Sequence, residues 1–131
     1  MDELPFVTRI QVRWRDLDAK AHVNNATVVT YLETARTELW RQRFGGGTDI
    51  PFVVRRVEVD FRRQLTLDDE VRIGLWIEVL RGASYTFCYR IEANGAHAVD
   101  ARTEMAHVGP TGRPSRIGRE MRAKLETLLV E

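Results

Sequence analysis

Two carboxylates in one short segment, Asp16 and Asp18, are the residues whose types and spacing point most directly to chemistry. They precede His22 and the pair Asn24-Asn25, where a long helix-forming run begins. The backbone N–H groups of a first helical turn have no partner inside the helix, and with the helix dipole they attract developing negative charge. A carboxylate beside such amides can act as base or nucleophile in acyl transfer while the amides hold the oxyanion.

A long amphipathic helix is predicted directly after this segment, from about Asn25 to Phe44. Asn24 is predicted to cap its N-terminus, and Gly45-Gly46-Gly47 is predicted to end it. Such a helix is roughly 30 Å long and can cross a whole small sheet. Its apolar residues share one helical face: Val28, Tyr31, Leu32, Ala35, Leu39 and Trp40.

Alternating apolar residues predict five strands. In the first, residues 6–14, Ile10, Val12 and Trp14 are predicted to face one way, and in the second Val57, Val59 and Phe61 share a face. The later strands are joined by short turns such as the hairpin signal Asn94-Gly95, which makes them antiparallel. The other predicted elements are strands at 52–64, 71–80, 83–92 and 96–108, and a short amphipathic helix at about 117–129.

One long helix that covers the apolar face of an antiparallel sheet gives an α+β architecture. The length of 131 residues predicts a single domain, 1–131, and 44% hydrophobic with 30% charged residues is typical of a globular protein. No run of ~18 apolar residues is present, so no membrane span is predicted. The N-terminal segment also lacks the pattern of a signal peptide.

Charge and cysteine content narrow the function classes further. The net charge of +1 does not indicate nucleic-acid binding. A single cysteine, Cys88, excludes an internal disulfide and is typical of a reducing compartment, so a cytoplasmic location is expected. One cysteine with three scattered histidines offers no zinc-ligand spacing, and no metal is expected.

The segment Asp16-Leu-Asp18-Ala-Lys-Ala-His22-Val-Asn24-Asn25 resembles the signature of hotdog-fold acyl thioesterases of the 4-hydroxybenzoyl-CoA thioesterase class, in the branch with a His-Val-Asn-Asn motif. The resemblance continues through Tyr31–Arg36 and Thr111–Pro114 and covers almost the whole chain. It implies an antiparallel sheet of about five strands wrapped around one long helix. It also implies thioester hydrolysis on acyl-CoA or on an acyl carrier protein, with no cofactor other than the coenzyme A of the substrate.

The same resemblance assigns the chemistry to individual residues. Asp18 corresponds to the catalytic carboxylate, and the backbone amide at Asn25 corresponds to the group that polarises the thioester carbonyl. Asp16 is interpreted as structural. His22 and Asn24 are predicted in the substrate-binding loop, with a hydrogen-bonded loop histidine and a helix cap as the alternative roles.

Arg62 and Arg63 are candidates for the coenzyme A phosphates, because such thioesterases place basic residues near the cleft mouth and guanidinium groups suit phosphate. A solvated strand end is the alternative. The resemblance also implies a homodimer or homotetramer with edge-to-edge strand pairing and the active site between subunits. Ala21 stands where the family often has glycine and would restrict the backbone, and Val28 stands where it often has tyrosine and would reshape the acyl pocket.

Rival interpretations remain open. A non-catalytic acyl-CoA-binding hotdog module or a hotdog dehydratase would bind a thioester without releasing coenzyme A. On the helix, Glu33 and Arg36 lie one turn apart and are predicted to pair. The alternative is that Glu33 faces the acyl pocket. An aromatic strand face of Tyr85, Phe87 and Tyr89 is interpreted as core.

Overall fold

The elements of the chain follow the predicted order in the computed structural model, which describes residues 1–130. A 3-10 turn at Trp14–Asp16 lies between the first strand and the acidic loop. The α+β prediction of five strands, one long helix and one short C-terminal helix is confirmed. The strands are β1 Phe6–Ile10, β2 Phe52–Phe61, β3 Val71–Leu80, β4 Ser84–Ala93 and β5 Ala96–His107, and the helices are α1 Asn25–Arg43 and α2 Arg119–Glu126.

The five strands form one sheet in the order β1-β3-β4-β5-β2, and every neighbouring pair is antiparallel, as predicted. The turn between β4 and β5 is the predicted hairpin, in which Asn94 and Gly95 both have positive φ. Helix α1 lies against one face of the sheet and completes the hydrophobic core. Its buried residues belong to the predicted apolar face: Val28, Tyr31, Leu32, Ala35 and Leu39.

Both ends of α1 are fixed by local contacts. The Asn24 side chain accepts a hydrogen bond from the Ala26 backbone N–H at 2.8 Å, which confirms the predicted cap. At the other end the Trp40 indole donates to the Gly46 carbonyl at 2.7 Å, and its ring stacks on Phe44. The three glycines that follow all have positive φ, which favours glycine over other residues.

The prediction that Trp14 lies on the core face of the first strand was wrong. Strand β1 ends at Ile10, Val12 is still buried, and the Trp14 side chain is 77% exposed. The alternation ends because the Asp16 carboxylate accepts the Arg13 backbone N–H at 2.9 Å, which holds the chain in a 3-10 turn.

The apolar face predicted for β2 is largely uncovered, because β2 is an edge strand. Among residues 1–130 only β5 pairs with it. Its apolar side chains Val53, Val54, Val57 and Phe61 are 40–47% exposed. An exposed apolar edge of this length is a template for pairing with another chain.

The helices that the structure describes do not have the length and apolar character of membrane-spanning segments. Neither α1 nor α2, nor any other helix among residues 1–130, is long and apolar enough to cross a bilayer.

Candidate active site

The acidic loop between β1 and α1 is held against two neighbouring segments. Leu17 and Val23 form an antiparallel bridge that closes the loop. The Asn24 N–H donates to the Asp16 carbonyl at 3.0 Å, and the Val23 N–H donates to the Leu65 carbonyl at 2.8 Å. The loop is therefore attached both to the start of α1 and to the segment that follows β2.

Asp16 joins the acidic loop to the middle of α1. Its side chain is 3% exposed and accepts the Tyr31 hydroxyl at 2.6 Å and the Arg13 guanidinium at 3.1 Å. Burial by itself would raise the pKa of Asp16, but the hydrogen bonds from Tyr31 and Arg13 outweigh it and lower the pKa below the ordinary value. These contacts agree with the structural role expected for Asp16.

Tyr31→Phe should lower the free energy of unfolding by about 1–3 kcal/mol, because it removes a donor from a buried carboxylate. A carboxyl whose folded pKa is lowered stabilises the protein above its unfolded pKa and loses that contribution as pH falls through the folded pKa. The variant should therefore unfold at a higher pH than wild type during acid titration. Urea unfolding at neutral pH and at mildly acidic pH, followed by circular dichroism, measures both effects. An unchanged acid midpoint would contradict the assignment.

Unlike Asp16, Asp18 is exposed, and only one of its two carboxylate oxygens accepts hydrogen bonds from the described residues. Its Oδ1 accepts the backbone N–H groups of Lys20 at 2.8 Å and His22 at 3.2 Å. These two hydrogen bonds lower the pKa of Asp18, so its carboxylate is ionised at neutral pH. No hydrogen bond from residues 1–130 reaches Oδ2, which leaves this oxygen free to react.

The turn that presents Asp18 is a tight one. The Ala21 N–H donates to the Asp18 carbonyl at 3.0 Å, and the Asp18 N–H donates to the His22 carbonyl at 2.8 Å. Ala21 has a φ of 61°, in the left-handed region that favours glycine. An alanine there costs about 1–2 kcal/mol of backbone strain, which explains why glycine suits this position.

The start of α1 offers free backbone donors. Because the Asn24 side chain takes the Ala26 N–H, Asn24 acts as a cap. The N–H groups of Asn25 and Thr27 make no hydrogen bond within the described chain. The Asn25 amide is thus a free donor at the positive end of the helix dipole.

The basic pair, Arg62 and Arg63, directly follows β2. It is connected to the acidic loop through Leu65, whose carbonyl accepts the Val23 N–H of that loop. The backbone N–H groups of Arg62 and Arg63 both donate to the Ala98 carbonyl, at 2.9 and 3.0 Å. The Arg62 guanidinium donates to Asp100 at 2.6 Å. The exposed Arg63 side chain makes no ion pair with residues 1–130 and is the freer of the two cations.

A groove runs between α1 and β2 and contains two adjoining cavities of about 360 and 220 Å³. We call it the α1–β2 groove. Glu33 and Arg36 on the helix and Val54 on the strand line both cavities. Val28 lines neither of them and packs in the core, so its predicted effect on the acyl pocket is not supported.

The predicted pair between Glu33 and Arg36 was wrong. The Arg36 guanidinium donates to the Tyr89 hydroxyl at 3.1 Å, and Glu33 makes no ion pair with residues 1–130. The Tyr89 hydroxyl also lies 2.6 Å from the Thr103 hydroxyl, inside the core. Sequence periodicity could not indicate a contact between residues on different elements, 53 positions apart.

Candidate metal ligands do not cluster in the described part of the chain. No group of three or more His, Cys, Asp or Glu side chains within residues 1–130 could hold a metal ion.

Sequence relatives share much of the chain. Acyl-CoA thioester hydrolase YbgC of Escherichia coli O6:H1 is 34% identical over 96 residues, which cover 70% of this chain and 72% of that protein. Long-chain acyl-CoA thioesterase FadM of Escherichia coli K12 is 29% identical over 129 residues, which cover 93% of this chain and 98% of that protein.

Solved structures share the fold. A thioesterase from Thermus thermophilus, crystallised with coenzyme A and Zn, is 32% identical with a TM-score of 0.88, over 98% of this chain and 96% of that one. A predicted thioesterase from Bacillus stearothermophilus is 28% identical with a TM-score of 0.89, over 96% of this chain and 97% of that one. The hotdog fold implied by the sequence is confirmed by these neighbours.

The family is shown by a match over most of the chain. Residues 12–125 match the family model described as the thioesterase-like superfamily. This span includes the acidic loop, α1 and all strands after β1. The narrower resemblance to the 4-hydroxybenzoyl-CoA class stays a prediction. The chain belongs to the thioesterase-like superfamily.

Proposed function

We propose that this protein is an acyl-CoA thioesterase, which hydrolyses an acyl-CoA to the free carboxylic acid and coenzyme A. The observation that carries the proposal is the exposed Asp18 carboxylate, with one oxygen free, in a loop attached to the start of α1. The names of YbgC and FadM and the coenzyme A bound to the Thermus enzyme support acyl-CoA as the substrate class.

Asp18 is the base or the nucleophile in this mechanism. In one route its carboxylate removes a proton from water, which attacks the thioester carbonyl. In the other it attacks the carbonyl itself, and water then hydrolyses the resulting mixed anhydride. Both routes break the carbon–sulfur bond, release coenzyme A as the thiol and leave a carboxylic acid.

The Asn25 amide supplies the oxyanion donor in either route. Attack on the carbonyl places negative charge on its oxygen, and a free N–H at a helix N-terminus stabilises that charge. His22 shapes the site through its backbone, since its N–H and carbonyl both bond to Asp18. Asn24 contributes by capping the helix that carries the donor.

Binding of the nucleotide end of coenzyme A is assigned to Arg62 and Arg63, the basic pair after β2. The Arg63 guanidinium is exposed and unpaired among residues 1–130, so it can meet a phosphate directly. Arg62 must first exchange its hydrogen bond with Asp100 for a phosphate oxygen. Arg63 is therefore the stronger candidate of the two.

The active unit in this proposal is a homodimer formed through the β2 edge. The exposed valines of β2 lie beside the α1–β2 groove, so pairing of two β2 strands would cover both the apolar edge and the mouth of the groove. Further assembly into a homotetramer is compatible with this pairing. A cytoplasmic location remains our expectation, on the cysteine content alone.

Thiol release from a panel of acyl-CoAs tests the proposal. The panel spans short, long and aromatic acyl groups, with free thiol detected by a chromogenic disulfide. Turnover of at least one thioester is expected, and its preference gives the substrate class. Binding of acyl-CoA without thiol release would instead favour the binding-module interpretation, and no binding at all would refute the proposal.

A further inference from the structure

We propose that the α1–β2 groove selects acyl chains that carry a neutral oxygen, as a hydroxyl or keto group, far from the thioester. This inference rests on the proposed function and names the substrate class of the same site. Its basis is a pair of polar groups, Tyr85 and Arg36, that face the larger cavity, whose wall is otherwise mostly apolar.

The Tyr85 hydroxyl is the first of these groups. Tyr85 is 4% exposed, and its ring packs edge-on against Phe52 and Phe87, with centroids 5.0 and 4.8 Å away. Its hydroxyl has no hydrogen-bond partner among residues 1–130, although Tyr85 lines the cavity. Burial raises the pKa of Tyr85 far above its ordinary value, so the hydroxyl stays protonated and can donate. The hydroxyl is not fully enclosed by protein, so it is accessible from the cavity, and an oxygen bound there can accept its hydrogen bond.

Arg36 is the second group, and it is held in place. Its Nη1 donates to the Tyr89 hydroxyl, which is itself 2.6 Å from the Thr103 hydroxyl. The other guanidinium N–H groups make no hydrogen bond with residues 1–130, and Arg36 lines both cavities. The core thus fixes a cationic donor where the two cavities meet.

The position of these donors sets where the oxygen must lie. Arg36 lies eleven positions after Asn25, the proposed oxyanion donor, which corresponds to about 17 Å along the helix. The acyl chain must pass Val29 and Thr30, in the smaller cavity, before it reaches Arg36. An oxygen next to the thioester would therefore not reach the donors, whereas one near the end of a medium or long chain would.

Charge favours a neutral oxygen over a carboxylate. Glu33 lines both cavities together with Arg36, so the two side chains nearly balance one another. A terminal carboxylate on the acyl chain would lose its hydration in a groove that offers it no net positive charge. A hydroxyl or keto oxygen can accept from Arg36 and Tyr85 without that penalty.

An unsubstituted alkyl chain is disfavoured by the same geometry. It would displace water from Arg36 and Tyr85 and offer no acceptor in return. Sites that hydrogen-bond a substrate oxygen discriminate against the analogue that lacks it, because the site's own polar groups are left unpaired. The preference for the oxygen-bearing chain should appear in kcat/KM, because the oxygen is far from the reacting carbon and contributes through binding of the chain.

The test compares dodecanoyl-CoA with ω-hydroxydodecanoyl-CoA and with the mono-CoA thioester of dodecanedioic acid. Wild type should favour the hydroxy substrate over the plain chain by roughly 10- to 100-fold in kcat/KM. The carboxylate-terminated chain should be the poorest of the three. Tyr85→Phe should reduce the hydroxy preference roughly 10-fold, because it removes one donor and keeps the ring.

Thr34→Val is the matched control. It removes an exposed hydroxyl from the same helix, but one that lines neither cavity, so the substrate ratio should stay at the wild-type value. Measuring all substrates on each variant cancels any loss of folded protein. Equal kcat/KM for the plain and hydroxy chains in wild type, or an unchanged ratio in Tyr85→Phe, would overturn the inference.

Failure of the proposed function gives a different result. If no thioester is hydrolysed, calorimetric titration with free ω-hydroxydodecanoic acid and dodecanoic acid tests the groove alone. Tighter binding of the hydroxy acid to wild type, but not to Tyr85→Phe, would support the selectivity. Equal or absent binding of the two acids would refute it.

Discussion

Asp18→Asn should lower kcat by roughly 100- to 10,000-fold, the range lost when a positioned base or nucleophile is removed. An amide can neither take a proton from water nor attack a thioester. The asparagine carbonyl oxygen can still accept the N–H groups of Lys20 and His22, which bond only to Oδ1 in wild type. The loop should keep its shape, so the loss should appear in kcat with KM nearly unchanged. Thiol release at saturating acyl-CoA measures it.

Asp68→Asn is the control for this substitution. Asp68 is also an exposed loop aspartate, but it lies outside the acidic loop, so its variant should match wild type in rate and thermal unfolding. A single turnover in ¹⁸O-labelled water then tests the anhydride route. Label in Asp18 would establish the anhydride, whereas label only in the product acid is produced both by general base catalysis and by attack of water on the acyl carbonyl of the anhydride. Equal rates for Asp18→Asn and wild type would remove Asp18 from the mechanism.

Features set by neighbouring residues could be predicted from the sequence. Asn24 caps α1 through its own second neighbour, and Asn94-Gly95 supplies the positive φ angles of its turn without help from elsewhere. The strand at Val71–Leu80 was predicted with its observed bounds, because both its ends carry turn signals. The acidic loop belongs to the same class, since Asp18 is held by backbone groups two and four residues away.

Features set by distant contacts could not be predicted. The partner of Arg36 is Tyr89 on β4, and only the packing of α1 across the sheet brings the two together. The turn at Trp14 depends on the buried Asp16, whose carboxylate accepts a buried hydrogen bond from Tyr31 on the helix. Periodicity also gives β2 an inner face, but it does not reveal that β2 is the last strand of the sheet. Sequence reasoning therefore described the local contacts of the acidic loop and missed the α1–β2 groove, which several elements build together.

Val57→Lys should convert the proposed dimer to a monomer. Val57 lies near the middle of the exposed β2 edge and is 41% exposed in the single chain. In a two-fold interface each substitution occurs twice on the same seam, so two ammonium groups would be introduced into an otherwise apolar contact. Charged side chains on an edge strand are a natural means of blocking strand pairing. Size-exclusion chromatography with light scattering measures the change in mass.

Activity should fall with the dimer, by roughly 100-fold or more, because a displacement of about 1 Å in substrate position costs that much. Leu129→Lys is the matched control, since it places the same charge on another exposed apolar residue, in the C-terminal tail that pairs with β3. That variant should keep wild-type mass and rate. A Val57→Lys variant that stays dimeric and active would place the interface away from the middle of β2. A monomeric wild type with full activity would show that the site is complete within one chain. In that case the exposed edge of β2 would have to be explained by another partner, and the α1–β2 groove would have to bind its acyl chain while open on the β2 side.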